Sequence, residues 1–228
     1  MKSGTACCWQ LAANRCRERV LNLGSKLGAI SPAAWRLFIA IPLPEALLRS
    51  LTEMQRELKS ICGGEGVRWI SQAQMHLTLR FLGDVPSEAV TELQAALCDA
   101  VTGAGEFELS IAGLGCFPHV NRPRVLWVGV HGGLEALRSL QLPVADATQR
   151  WGKPEERDFH PHLTLARIKD GARFDGRAWQ RSEKLHAQRK LGSWRVCTVQ
   201  LMRSELSPGG PVYSALSTFD CKTKIPAD

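Results

Sequence analysis

Four residues in two short copies stand out as groups that can do chemistry. His76-Leu77-Thr78-Leu79 returns as His162-Leu163-Thr164-Leu165, 86 positions later. Both copies lie in strand-like runs, Met75 to Leu82 and Phe159 to Ile168. Residues i and i+2 of a strand share a face, so each copy offers an imidazole and a hydroxyl on one side and two leucines on the other. The leucine side reads as core; the His/Thr side has no apolar reason to exist. Metal ligation would need a third and usually a fourth ligand, and no carboxylate or cysteine recurs on the motif face. A nucleophilic histidine needs no partner and leaves the pair unexplained. Acid/base catalysis uses all four residues: one imidazole takes a proton while the other gives one. In-line displacement at phosphorus puts attacking and leaving oxygens on opposite sides, and the two threonine hydroxyls suit its non-bridging oxygens. Structural symmetry alone is the plain alternative, because duplication also copies residues that do nothing.

The rest of the chain must position these strands. Hydrophobic residues make up 44% and charged residues 22% of the 228, the balance of a globular protein with a sizeable core. No apolar run reaches the ~20 residues of a membrane helix. The net charge of +7 is uneven: residues 1–33 hold five basic residues against Glu18, leaving +3 on the remainder. That remainder suits a phosphate without demanding nucleic acid. The eight cysteines are irregularly spaced and include no C-x-x-C pair, which points away from a zinc site or disulfide scaffold and toward reduced thiols in the cytoplasm.

Residues 1–33 read as a basic, disordered extension ending in Ser31-Pro32, and residues 34–228 as one domain of two lobes. Trp35–Ile41 is a buried-strand run, and Leu47, Leu51, Met54 and Leu58 mark an amphipathic helix. Val67–Ile70 reads as a short strand, Ser87–Val101 as a second helix, and Phe107, Leu109 and Ile111 as a half-exposed strand. The pattern then restarts. Arg124–Val130 resembles Arg36–Ile41 at a shift of 88, and the run from Glu135 resembles the run from Glu45. Pro143 is expected to break or kink this later helix. A polar, helical segment with Trp179 as anchor, a strand over Trp194–Arg203 and a last strand over Tyr213–Phe219 complete the chain. The fold class expected is α+β: a duplicated, two-lobed unit with pseudo-twofold symmetry, mostly antiparallel sheets lining a central cleft, and helices outside.

The paired motifs resemble the two-histidine (2H) phosphoesterase superfamily, and more narrowly the bacterial RNA 2′,3′-cyclic phosphodiesterases. The resemblance rests on Arg36–Ile41, His76–Gly83, Pro123–Trp127, Pro161–Arg167, Ser204-x-Leu206 and Pro211–Tyr213, and covers about residues 35–220. It implies hydrolysis of a terminal 2′,3′-cyclic phosphate on RNA, tRNA fragments among the substrates, with His76 as proton donor, His162 as proton acceptor and Thr78 and Thr164 at the phosphate. It also implies 2′-5′ joining by reversal of the same proton transfers, with no metal and no nucleotide cofactor; no G-x-x-x-x-G-K-[ST] loop occurs. A monomer is expected.

Further substrate contacts are expected around this pair. Arg80 is at i+4 from His76, so parity places it on the cleft face. Arg167 is at i+5 from His162, so a regular strand points it away unless a bulge turns it. His160 shares the His162 face. Phe117, Trp127 and Tyr213 can stack on a base, and Arg122 and Arg124 flank a cleft-side loop. The rival readings are a 2H enzyme acting on another cyclic phosphate or a 2′-5′-linked oligonucleotide, and an RNA-binding module without catalysis.

Overall fold

The computed structural model describes residues 33–152, 158–208 and 210–221. The basic extension expected over residues 1–33 falls, but for Ala33, outside the described residues. Among the described residues the strands are β1 (Ala34–Ile41), β2 (Val67–Trp69), β3 (Leu77–Pro86), β4 (Phe107–Phe117), β5 (Val125–Gly132), β6 (His162–Ile168), β7 (Lys190–Val196), β8 (Thr198–Ser207) and β9 (Gly210–Asp220). The α-helices among them are α1 (Glu45–Cys62), α2 (Val90–Val101), α3 (Leu134–Ala147) and α4 (Gly176–His186). One sheet has the order β3-β1-β8-β9 and the other β2-β6-β5-β4-β7, with every pairing antiparallel.

The sequence pattern explains most of these elements. In α1, Leu47, Leu51, Met54 and Leu58 form the buried stripe, and Pro44 before it supplies the fixed φ of a helix start. In α4, Asp175 caps the N-terminus by accepting from the backbone N–H groups of Arg177 and Ala178. Trp179, fully buried, anchors that helix. The leucines of both motif strands, Leu77, Leu79, Leu163 and Leu165, join Leu37, Ile39, Leu126 and Val128 in one apolar cluster shared by the two sheets. Each such side chain contributes about 1.5–3 kcal/mol by leaving water.

Two expectations need correction. Of the break or kink expected at Pro143, the break does not occur, since α3 runs on to Ala147. Pro143 and Ser139 both lie on the exposed side, where the carbonyl that loses its helical partner can face water. The run expected as one strand over Trp194–Arg203 is two strands that break at Cys197, where the chain leaves one sheet for the other. The two sheets do not divide at the boundary between the repeats. The first sheet combines β1 and β3 with β8 and β9, and the second combines β5, β6 and β7 with β2 and β4. The repeats therefore exchange strands, which only long-range pairing can decide.

The repeat itself is sharper than the sequence suggests. Ile41 pairs with Leu77, Ala40 with Thr78, Ile39 with Arg80 and Phe38 with Phe81. Val128 pairs with Leu163, Trp127 with Thr164, Leu126 with Ala166 and Val125 with Arg167. The two ladders superimpose at shifts of 87 for the central strand and 86 for the motif strand, correcting the shift of 88. Each motif strand carries one extra residue at the same place, Leu79 in β3 and Leu165 in β6.

Candidate active site

The motif strands bring their polar faces to one cleft. A cavity of about 100 Å³ is lined by His76, which immediately precedes β3, Thr78 and Phe81 from β3, Thr164 and Arg167 from β6, and Phe38, Ser204 and Tyr213 around them. His162 sits two residues before Thr164 on the same face of β6, near enough for its charge to act on His76.

Both imidazoles are held in the same way. Nδ1 of His76 lies 2.9 Å from the carbonyl oxygen of Gln74, and Nδ1 of His162 lies 2.7 Å from that of His160. A carbonyl only accepts, so each Nδ1 carries the proton and each Nε2 is left as the group that can gain or lose one. Aromatic walls fix the ring planes. Phe38 stacks on His76 with centroids 4.7 Å apart, and Tyr213 meets it edge-on at 5.4 Å. Phe117 meets His162 edge-on at 5.0 Å and packs against Trp127.

These walls also set the protonation state. Burial pushes the His76 imidazole down to about 4, against a weaker opposing pull from the Gln74 carbonyl, and the charge of Arg167 pushes the same way as burial. His162 is lowered too, first by burial, and the charges of His160 and Arg167 add to the effect. Both rings are therefore neutral at pH 7.

The extra residue in each motif strand reverses the facing of the residues after it. Arg80 does not face the cleft. It is buried, and its Nη1 donates to the carbonyl of Ala145 in α3. Arg167 takes the cleft position instead, because the bulge at Leu165 turns it over. Phe81 is its counterpart in β3, exposed at the cleft with the Arg36 guanidinium 4.8 Å from its ring centroid. A duplicated backbone thus presents a cation on one side and an aromatic ring on the other.

The bulge in β6 has a specific support. Gln55 of α1, itself buried, donates from Nε2 to the carbonyls of Leu165 (2.8 Å) and Ile70 (2.9 Å), and the Ile70 N–H also donates to Leu165. Sequence reasoning missed Gln55, whose only signal is a polar residue beside the apolar stripe of α1. It also missed Gln74, which gives its carbonyl to His76 and its amide to the Pro211 carbonyl of β9.

Other expected contacts are spread around the cleft. The His160 ring is exposed, with its centroid 6.4 Å from that of His162, and lines a neighbouring groove. Phe117 and Trp127 form the wall behind His162, and Tyr213 stands beside His76. Arg122 and Arg124 lie past the cleft, both paired with Asp170. Among the described residues, no three His, Cys, Asp or Glu side chains gather as a metal-ligand set.

A duplicated α+β domain with two His-x-Thr strands meeting at one cleft defines the 2H phosphoesterase class. Residues 41–127 and 128–213 each match the LigT-like phosphoesterase family, so the chain belongs to that family, and the two matches mark the two repeats. The chain is similar to the RNA 2′,3′-cyclic phosphodiesterase of Methanothermobacter thermautotrophicus, 35% identical over 184 residues that span 81% of this chain and 97% of that protein. The enzyme of the same name from Thermotoga maritima is 31% identical over 82% of this chain and 95% of its own length. Among solved structures, TT0787 of Thermus thermophilus has a TM-score of 0.63 at 28% identity, covering 83% of this chain and all of that one. The apo form of E. coli LigT shares the fold, with a TM-score of 0.63 at 24% identity over 82% of this chain and 98% of its own.

Proposed function

We propose that this phosphoesterase opens the 2′,3′-cyclic phosphate at the end of an RNA strand to a 2′-phosphomonoester, using two histidines and no metal. One observation carries the reading: both motif histidines spend Nδ1 on a carbonyl two residues back, which leaves Nε2 of each ring as the atom that can gain or lose a proton. In this reading His162 Nε2 takes a proton from water as its oxygen bonds to phosphorus. The P–O3′ bond breaks, and His76 Nε2–H gives a proton to the leaving oxygen. Thr78, Thr164 and Arg167 hold the non-bridging oxygens. The order of donor and acceptor follows the family resemblance. The substrate anion favours the protonated donor, because a phosphate beside His76 and Arg167 raises the imidazole and offsets the guanidinium. A 5′-hydroxyl in place of water gives a 2′-5′ linkage by the same transfers, and their reversal cleaves it.

The RNA end is the proposed substrate because the similar archaeal and bacterial proteins bear that activity in their names. We place the protein in the cytoplasm as a monomer. The free thiols of Cys62, Cys98, Cys116, Cys197 and Cys221 support a reducing compartment, and among the described residues no helix is long and apolar enough to cross a membrane. The test is incubation of an RNA oligomer ending in 2′,3′-cyclic phosphate, with and without a chelator, and identification of the product by mass and by co-migration with authentic 2′-phosphate and 3′-phosphate oligomers. A 2′-phosphate end formed equally in both is expected. A 3′-phosphate product, loss of activity on chelation that divalent metal restores, or turnover confined to cyclic mononucleotides would overturn the reading.

A further inference from the structure

A groove of about 630 Å³ opens next to the cleft. One wall is the loop 120–124, the chain that follows Phe117, whose ring stands against His162. The other is residues 168–177, the chain that follows Arg167 in the cleft. The two walls are joined where the Ile168 N–H donates to the Arg124 carbonyl. Its wall begins at Ile168, one strand residue or ~3.3 Å beyond Arg167 at the end of β6.

Its lining carries four cations, Arg122, Arg124, Lys169 and Arg177, against Asp170 and Asp175. The two acids are already committed. Asp175 spends a carboxylate oxygen on the N-terminus of α4. Asp170 is shared by Arg124 at 2.5 Å and Arg122 at 3.4 Å, and its carboxyl is held low by those guanidinium groups. Asp170 holds both arginines at the groove, and all three residues remain open enough to solvent for an incoming anion to bind. Guanidinium forks suit phosphate oxygens and are indifferent to the base attached.

We propose that this groove is a second binding site, which takes the phosphodiester backbone of single-stranded RNA immediately upstream of the reacting phosphate. The proposal rests on the reading of the cleft as the site for an RNA end. It assigns the preference for a strand over a mononucleotide to Lys169, Arg177, Arg122 and Arg124, while the cleft residues act on the terminal phosphate alone.

The experiment uses the full chain and its Lys169→Ala/Arg177→Ala double variant. Binding of a fluorescein-labelled RNA of about ten nucleotides, ending in an unreactive 2′-phosphate, is followed by anisotropy across a salt series. Turnover of a 2′,3′-cyclic mononucleotide and the melting temperature are measured beside it. Expected are about tenfold weaker RNA binding, a fall of about 1.4 in the slope of log K against log salt for two lost phosphate contacts, and unchanged mononucleotide turnover and melting. RNA binding and salt slope equal to those of the parent would overturn the groove. So would equal losses in RNA binding and mononucleotide turnover, since the residues would then act through the cleft or the fold. Failure of the parent to open any cyclic phosphate refutes the function proposed for the cleft and leaves the binding arm to decide the groove.

Discussion

Gln55 in α1 and Leu165 in β6 stand 110 residues apart in sequence and are joined by a 2.8 Å hydrogen bond. The acceptor is the carbonyl of the extra residue that turns Arg167 into the cleft. Gln55→Leu removes a buried donor from two carbonyls and is expected to destabilise the protein by about 1–3 kcal/mol, read by denaturant titration. It should also raise KM for the cyclic phosphate, because Arg167 loses the support of its bulge. A stable variant with unaltered KM would refute this role.

Arg80 and Arg167 exchange the places that strand parity assigns them, so their substitutions should differ in kind. Arg167→Ala is expected to lower kcat/KM by on the order of 10²-fold with little change in melting temperature, as the loss of a charged partner for the phosphate. Arg80→Ala is expected to lower the melting temperature, since its guanidinium ties β3 to α3. Steady-state kinetics beside thermal melts separate the two; a larger kinetic loss for Arg80→Ala would reverse the assignment.

His76→Ala and His162→Ala should each slow turnover by on the order of 10²–10⁴-fold, the range of a general acid or base. The double variant should lose far less than the product of the single losses, because the pair acts as one unit. Thr78→Ala and Thr164→Ala should lose less than either histidine. Single-turnover rates on the RNA oligomer check all five variants.

The histidine environments also fix a pH dependence. In the proposed mechanism one imidazole must be protonated and the other neutral. Both are lowered by burial, His76 to about 4. As pH rises through the higher of the two macroscopic values the acid is lost, and as it falls through the lower the base is lost. The bell of kcat/KM, which reports the free enzyme, should therefore peak below pH 6.5. Bound phosphate raises the donor, so the falling limb of kcat should lie at higher pH. Coincident kcat and kcat/KM profiles peaking above pH 7 would contradict the derivation.

Removal of residues 1–32 is expected to leave melting temperature and turnover unchanged. The first strand begins at Ala34 and the family match at residue 41. A large loss of either property would make the basic extension part of the domain or its site.

Much of this arrangement is legible in the residues. Leucine alternation finds the motif strands, the spacing of Leu47, Leu51, Met54 and Leu58 finds α1, and the repeated His-x-Thr finds the cleft. Parity fails after Thr78 and Thr164 because a bulge adds a residue without needing a glycine or proline to mark it, and leucine fills both. The carbonyls of Gln74 and His160 that orient the imidazoles are invisible for a different reason, since every residue has one and only the backbone path selects these. Sheet membership is out of reach because it is settled by pairings such as Leu37 with Arg203, between strands far apart in the chain.

The exchange of strands between the repeats has a consequence for synthesis. Chains grow from the N-terminus, so β1 and β3 leave the ribosome early, carrying His76 with them. The far edge of β1 is closed only by β8, and β8 in turn by β9, residues 198–220. Until those strands emerge, the nascent chain exposes a hydrophobic strand edge of the kind that pairs with other chains. The sheet beside His76 is thus completed only after His162 has been translated, and a ribosome that stalls between β6 and β8 leaves a chain that holds both histidines but has no finished cleft.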